Sequence, residues 1–108
     1  MQTCFSPLIR ASCVLTLLAT LLGTAHANEA LARKNDCFGC HSVASKLVGP
    51  AFKDVASKYA GQDAAAEQLQ NSILNGSAGK WGEIPMPAHS KLSAADAKKL
   101  AIWVLNLK

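Results

Sequence analysis

An all-α fold in one small domain is what this sequence predicts, and three observations carry the prediction. Apolar residues recur at helical spacing in four stretches, and no stretch shows the strict alternation of a half-buried strand. The part left after a removable leader is also too short for more than one core. Met1 to Arg10 carries one positive charge, Ala11 to Gly23 is a largely apolar run of 13 residues, and Ala25-His26-Ala27 has the small-x-small pattern cut by signal peptidase. Cleavage is expected before Asn28, removing residues 1–27 together with Cys4 and Cys13 and leaving 81 of the 108 residues. The apolar run is well short of the ~20 residues a spanning helix needs, which argues against an uncleaved membrane anchor.

The remaining elements follow in order. Residues 28–36 are read as a short helix with Ala30, Leu31 and Lys34 on a narrow inner face, running directly into Cys37-Phe38-Gly39-Cys40-His41. Val48-Gly49-Pro50 breaks the chain. Pro50 suits the first turn of a helix from about Ala51 to Lys58, with Phe52, Val55 and Tyr59 at helical spacing, and Gly61 stops it. Asp63 to Asn75 is amphipathic through its alanines, Leu69, Ile73 and Leu74. Asn75-Gly76 ends it, and the match of Asn75-Gly76-Ser77 to a glycosylation sequon is read as that helix stop. Gly76 to Leu92 holds too many Gly and Pro residues for helix or central strand and is expected to be a loop; a loop of that length in so small a domain is uncommon without a function. Ser93 and Asp96 have the spacing of a capping box for a last helix reaching about Leu107. Its inner stripe is Ala97, Leu100, Ala101, Val104 and Leu105, with Lys98 and Lys99 outside, and Trp103 is assigned to packing between the first and last helices.

Composition narrows the function classes. The overall 50% of hydrophobic residues is inflated by the leader, and the remaining segment keeps ten Lys and Arg against seven Asp and Glu, a net +3. So mild a charge suits docking on an acidic protein face and lacks the dense basic clustering of nucleic-acid binders. An apolar core of this size gives only a few kcal/mol, so a covalent or cofactor staple is expected.

The five-residue motif supplies it. On a helix, Cys37, Cys40 and His41 fall within an arc of about 100° on one face. One flat ligand meets all three there: two thiols add across the vinyl groups of a haem while the adjacent imidazole reaches its iron, and C-x-x-C-H is the attachment signature. The competing readings are a plain disulfide, a thioredoxin-like redox pair, and zinc. The redox pair expects a βαβ setting and no strand is available; zinc needs four ligands, and only His89 is added to the three. For the other axial position the mature chain offers one methionine, Met86, and His89. Met86 is favoured because Pro85 and Pro87 fix the backbone on both sides and present the thioether stiffly, in the loop whose length asks for a function. A His/Met pair fills both axial sites and raises the reduction potential, favouring electron transfer over oxygen or peroxide chemistry.

Cys37 to His41, Val48-Gly49-Pro50, Asn75-Gly76-Ser77, Trp81-Gly82-Glu83-Ile84-Pro85-Met86-Pro87 and Trp103-Val104-Leu105 together resemble a small bacterial class I cytochrome c of the c-551 type, across essentially all of residues 28–108. The resemblance implies about four helices wrapped around one covalent haem c, with thioethers at Cys37 and Cys40, His41 as proximal and Met86 as distal iron ligand. It implies that the carbonyl of Pro50 accepts from the ring N–H of His41, and that the indole N–H of Trp81 bonds a haem propionate. It also implies a monomeric, non-enzymatic periplasmic carrier of single electrons. Its donor would be a membrane cytochrome complex, its acceptor a terminal reductase, peroxidase or oxidase, with no nucleic-acid partner and no stable membrane insertion. The alternative class, a haem sensor or peroxidase-like enzyme, needs a displaceable sixth ligand.

Two positions depart from the resemblance. Ala88-His89-Ser90 stands where an asparagine commonly follows the distal methionine, and His89 is read as a solvated loop histidine or, alternatively, as a donor to the methionine sulfur or a propionate that makes the potential pH-sensitive. Ser72 stands where some relatives carry a basic residue near a propionate, so that contact is expected to be missing. Lys34, Lys46, Lys53, Lys58, Lys80 and Lys91 are candidates for a ring around the haem edge that steers partners.

Overall fold

The computed structural model describes residues 25, 26 and 28–108; apart from Ala25 and His26, the expected leader lies outside the described residues. Among the described residues four α-helices carry the chain: α1 over residues 28–34, α2 Phe52–Tyr59, α3 Ala65–Asn75 and α4 Ala94–Leu105, with one 3-10 turn at Cys37–Gly39 between α1 and α2. Among the described residues the sole β feature is an isolated antiparallel bridge between Ser77 and Met86.

The inner face of α1 differs from the expected one. Ala32 is fully buried and Leu31 packs against the core, while Ala30 and Lys34 are exposed. Three residues set the phase of so short a helix poorly; a lysine keeps its ammonium in water, and an alanine lets helices approach closely. Arg33 and Glu29 form an i,i+4 ion pair on the outer face worth a few tenths of a kcal/mol.

Pro50 lies ahead of α2 rather than in its first turn. The carbonyl of Ala51 opens the helix by accepting from Asp54 and Val55, and the otherwise orphaned N–H groups of Phe52 and Lys53 donate to the carbonyls of Ser42 and Val43 at 2.9 and 3.0 Å. The start of α2 is thereby sewn to the strip of chain that follows His41. Phe52, Val55, Ala56 and Tyr59 are buried as one stripe.

Helix α3 starts two residues later than expected, because Asp63 and Ala64 form a turn, and it ends at Gly76 with φ 78°. Ser93 caps α4 as predicted, its Oγ accepting from the Asp96 N–H at 3.1 Å, while a hydrogen bond from Lys99 holds the Asp96 carboxyl below its ordinary pKa. The helix closes at Leu105, short of the expected end, where the Asn106 side chain donates to the Ile102 carbonyl.

Helix α4 packs on both α3 and α2. Its Trp103 meets Phe52 and Phe38 edge to face, with centroids 5.4 and 6.3 Å apart. This cluster ties α4 to α2 and to the cysteine turn, and Trp103 shares the core with Ala32 of α1. Each such aromatic pair adds about 0.5–1.5 kcal/mol beyond burial.

Candidate haem site

The cysteine motif is not on an α-helix. Asp36, in the left-handed region at φ 58°, turns the chain into the 3-10 segment Cys37–Gly39, and Cys40 and His41 both donate their N–H to the Cys37 carbonyl, at 3.3 and 2.9 Å. The His41 bond spans one helical turn, so the three side chains still share a face although the element is shorter than the spacing suggested. A Cβ on Gly39 would sit 3.1 Å from both carboxylate oxygens of Asp36, which keeps the turn tight. No disulfide joins Cys37 to Cys40. Burial pushes the Cys37 thiol above its ordinary pKa; a backbone hydrogen bond partly offsets this and the Asp36 carboxylate adds to it.

His41 is held from three sides. Its Nδ1–H donates to the carbonyl of Pro50 at 2.7 Å, which makes Nε2 the lone-pair nitrogen of the neutral ring. The ring stacks on Phe52 with centroids 4.8 Å apart. Gly49, read from sequence only as a breaker, passes so close that a Cβ there would lie 2.5 Å from Cε1 of the ring. Its N–H donates to the Cys40 carbonyl at 2.8 Å, fixing the close approach.

Met86 is fixed through its backbone. Its N–H donates to the Ser77 carbonyl at 2.8 Å and its carbonyl accepts from the Ser77 N–H at 3.0 Å. Gly76 makes this pairing possible: besides its positive φ, a Cβ there would stand 2.8 Å from the Met86 carbonyl oxygen. Further along, the His89 N–H donates to the Ile73 carbonyl at the end of α3. His89 is not the solvated loop residue expected, since it is half-buried and its Nδ1 is buried without a hydrogen-bond partner among the described residues.

These residues line two adjoining cavities, of about 930 and 760 Å³ including their mouths, that share Cys40, His41, Phe52, Ile73, Met86 and Pro87 among their walls. Pro50 and Trp81 line the first and Cys37 the second, so the slot gathers all six residues singled out from sequence. The donor set fits a haem: two thiols, an imidazole whose free nitrogen is fixed by its other bond, a thioether, and apolar walls. Among the described residues no three His, Cys, Asp or Glu side chains converge as a bare metal ion would need.

One rim of the first cavity is polar. The Lys58 ammonium lies 4.2 Å from the centroid of the half-buried Trp81 ring and donates to the Lys80 carbonyl at 2.9 Å. The Lys80 ammonium in turn donates to the Oγ of Ser72, a residue only 8% exposed, at 3.3 Å. Of the six lysines considered for a ring, only Lys80 lines the slot.

A slot of this construction defines a class, and the chain belongs to it: it is a member of the cytochrome c family, which it matches over residues 26–108. Within the family its likeness is to small c-551 and c-552 proteins. It is 55% identical to cytochrome c-552 of Nitrosomonas europaea over 86 residues, 80% of this chain and 84% of that one. It is 46% identical to cytochrome c-551 of Allochromatium vinosum over 88 residues, 82% and 94% of the two chains. The crystal structure of the wild-type Nitrosomonas europaea cytochrome c552 superposes with a TM-score of 0.73, covering 74% of this chain and 99% of that one at 55% identity. Cytochrome MtoD from Sideroxydans lithotrophicus, described as a class 1 cytochrome, superposes at 0.64 with 32% identity. The chain is thus a small all-α class I monohaem cytochrome c with a covalently attached haem c, an electron carrier by family.

Proposed function

We propose that this cytochrome is exported by cleavage before Asn28 and works in the periplasm as a monomeric shuttle for single electrons, with no chemical substrate of its own. The observation that carries the reading is that His41 and Met86 line one slot and that each is anchored by the chain itself, His41 through Pro50 and Met86 through Ser77. When bound, the haem supplies an iron that cycles between Fe(III) and Fe(II). The thiols of Cys37 and Cys40 form its thioether links, the Nε2 of His41 is the proximal ligand and the thioether of Met86 the distal one. The Pro50 carbonyl orients the imidazole and raises its basicity, and the Trp81 indole bonds a propionate. With His41 and Met86 each held by backbone hydrogen bonds, these two side chains would hold the iron between them and exclude small molecules from it.

Absorption spectra of the oxidised and reduced protein, with and without carbon monoxide, test this. The expected result is a covalent haem that withstands acidified acetone, a methionine-to-iron charge-transfer band, and no carbon monoxide binding at neutral pH. Carbon monoxide binding by the reduced protein favours the sensor or peroxidase-like class instead.

The donor is proposed to be a membrane cytochrome complex and the acceptor a terminal reductase, peroxidase or oxidase. Val48 and Ile84, 54% and 65% exposed, line the slot, with Leu47 exposed beside them, and Lys80 is the one of the six lysines that lines it. Association with an acidic partner should slow as ionic strength rises, measured by stopped flow; a flat response removes the lysines from docking. Among the described residues no helix is long and apolar enough to cross a membrane.

A further inference from the structure

The polar rim of the first cavity is unusual in sign. Lys80 is the one lysine or arginine among the residues lining the cavity, beside Ser72 of α3 and Trp81 of the loop, and no Asp or Glu lines it. A lysine side chain free in water gives up much rotamer entropy when it is fixed. Yet Lys80 sets its ammonium on a neutral, buried hydroxyl at 3.3 Å, and Lys58 brings a second ammonium against the ring of the neighbouring Trp81 and onto Lys80's own carbonyl. Two cations drawn to one rim without an acidic side chain lining the cavity repel each other and are compensated by an anion carried by the ligand. A haem carries two such groups, its carboxylic side chains. We propose that Lys80, seated on Ser72, is the cationic partner of one of them and keeps that carboxyl ionised across the neutral pH range.

This deepens the electron-carrier reading and rests on it. The other groups facing the rim do not substitute for Lys80. From α2 come Tyr59, which carries no cationic group, and Lys58, which does not line the cavity and lies against the Lys80 carbonyl and the Trp81 ring. From α4 come Ala101 and Val104, and Glu83 does not line the cavity. An opposite charge within hydrogen-bonding range lowers a carboxyl pKa by about 1–3 units. Because an ionised carboxylate on the cofactor stabilises oxidised iron over reduced iron, the midpoint potential falls as pH rises through that pKa. Lys80 moves the fall to lower pH.

The test is the midpoint potential of the haem-loaded full chain from acid to alkaline pH, for the wild type, Lys80→Met, Lys80→Arg and Lys53→Met. In Lys80→Met the fall is expected about one pH unit higher, a roughly tenfold rise in the proton affinity of the carboxyl. Lys80→Arg, which keeps the charge, and Lys53→Met, which removes an exposed lysine that does not line the slot, are expected to follow the wild type. An inflection unmoved in Lys80→Met overturns the proposal, as does an equal displacement in Lys80→Arg or in Lys53→Met. A wild type with no attached haem, or one that binds carbon monoxide, instead overturns the carrier reading, so the two failures are told apart by the spectrum.

Discussion

The chain without haem, prepared as the Cys37→Ala/Cys40→Ala variant and kept free of cofactor, is expected to lose most of its helical circular dichroism and to melt without a cooperative transition. The reason lies in where the core faces. Its cluster comprises Ala32, Phe52, Val55, Tyr59, Ala65, Leu69, Leu100, Ala101, Trp103 and Val104. Every one of these except Ala65 lines one of the two cavities. A side chain that faces an unfilled cavity loses the contacts it would make on that side, and in this core the haem would fill the space. A domain of this size commands only a few kcal/mol in all, so losing those contacts at several core residues exceeds what remains. Native helical content with a sharp thermal transition in the haem-free chain would show that the helices hold one another, and that the cofactor is no staple.

What the sequence reveals and what it hides divide along a physical line. Helices α2, α3 and α4 are legible because Phe52, Val55 and Tyr59, Leu69 and Ile73, and Leu100, Ala101 and Val104 repeat at 3.6-residue spacing, and because Ser93 and Gly76 mark ends with side-chain and backbone chemistry that acts locally. Helix α1 is illegible in phase, since its two anchoring residues, Leu31 and Ala32, are too few to define a face. The cysteine turn looks helical because C-x-x-C-H fits a helix; that it is a 3-10 turn depends on Asp36 entering the left-handed region, which no period reports. Gly49 and Gly76 illustrate the hidden half of the site. Sequence marks each as a breaker, but their roles are defined by what passes close to them, the His41 ring and the Met86 carbonyl, and such approaches are tertiary. The same holds for Lys80. Ser72 alone reads as the loss of a basic contact, and only the fold reveals that an ammonium arrives there from eight residues further along.

Met86→Ala is expected to change the function most while leaving the fold in place. The residue's hydrogen bonds to Ser77 are made by its own N–H and carbonyl, so truncating the side chain removes the thioether and keeps the bridge, the close approach at Gly76 and the loop's tie to α3 through His89. The variant should therefore keep its covalent haem and its helical circular dichroism. It should lose the methionine-to-iron charge-transfer band, bind carbon monoxide when reduced at neutral pH, and show a lower midpoint potential, the fall being a substantial part of the roughly 0.8 V that axial ligand choice spans. Gly76→Ala is the instructive contrast, because it leaves the thioether and strains the backbone that presents it. If ligation needed only a methionine on a long loop, that variant would behave as wild type. If the bridge positions the sulfur, its charge-transfer band weakens although Met86 is intact. A Met86→Ala protein with an unchanged spectrum and no carbon monoxide binding would assign the distal site to another residue. The half-buried His89, three positions further on with its unpartnered Nδ1, would then be the first to replace.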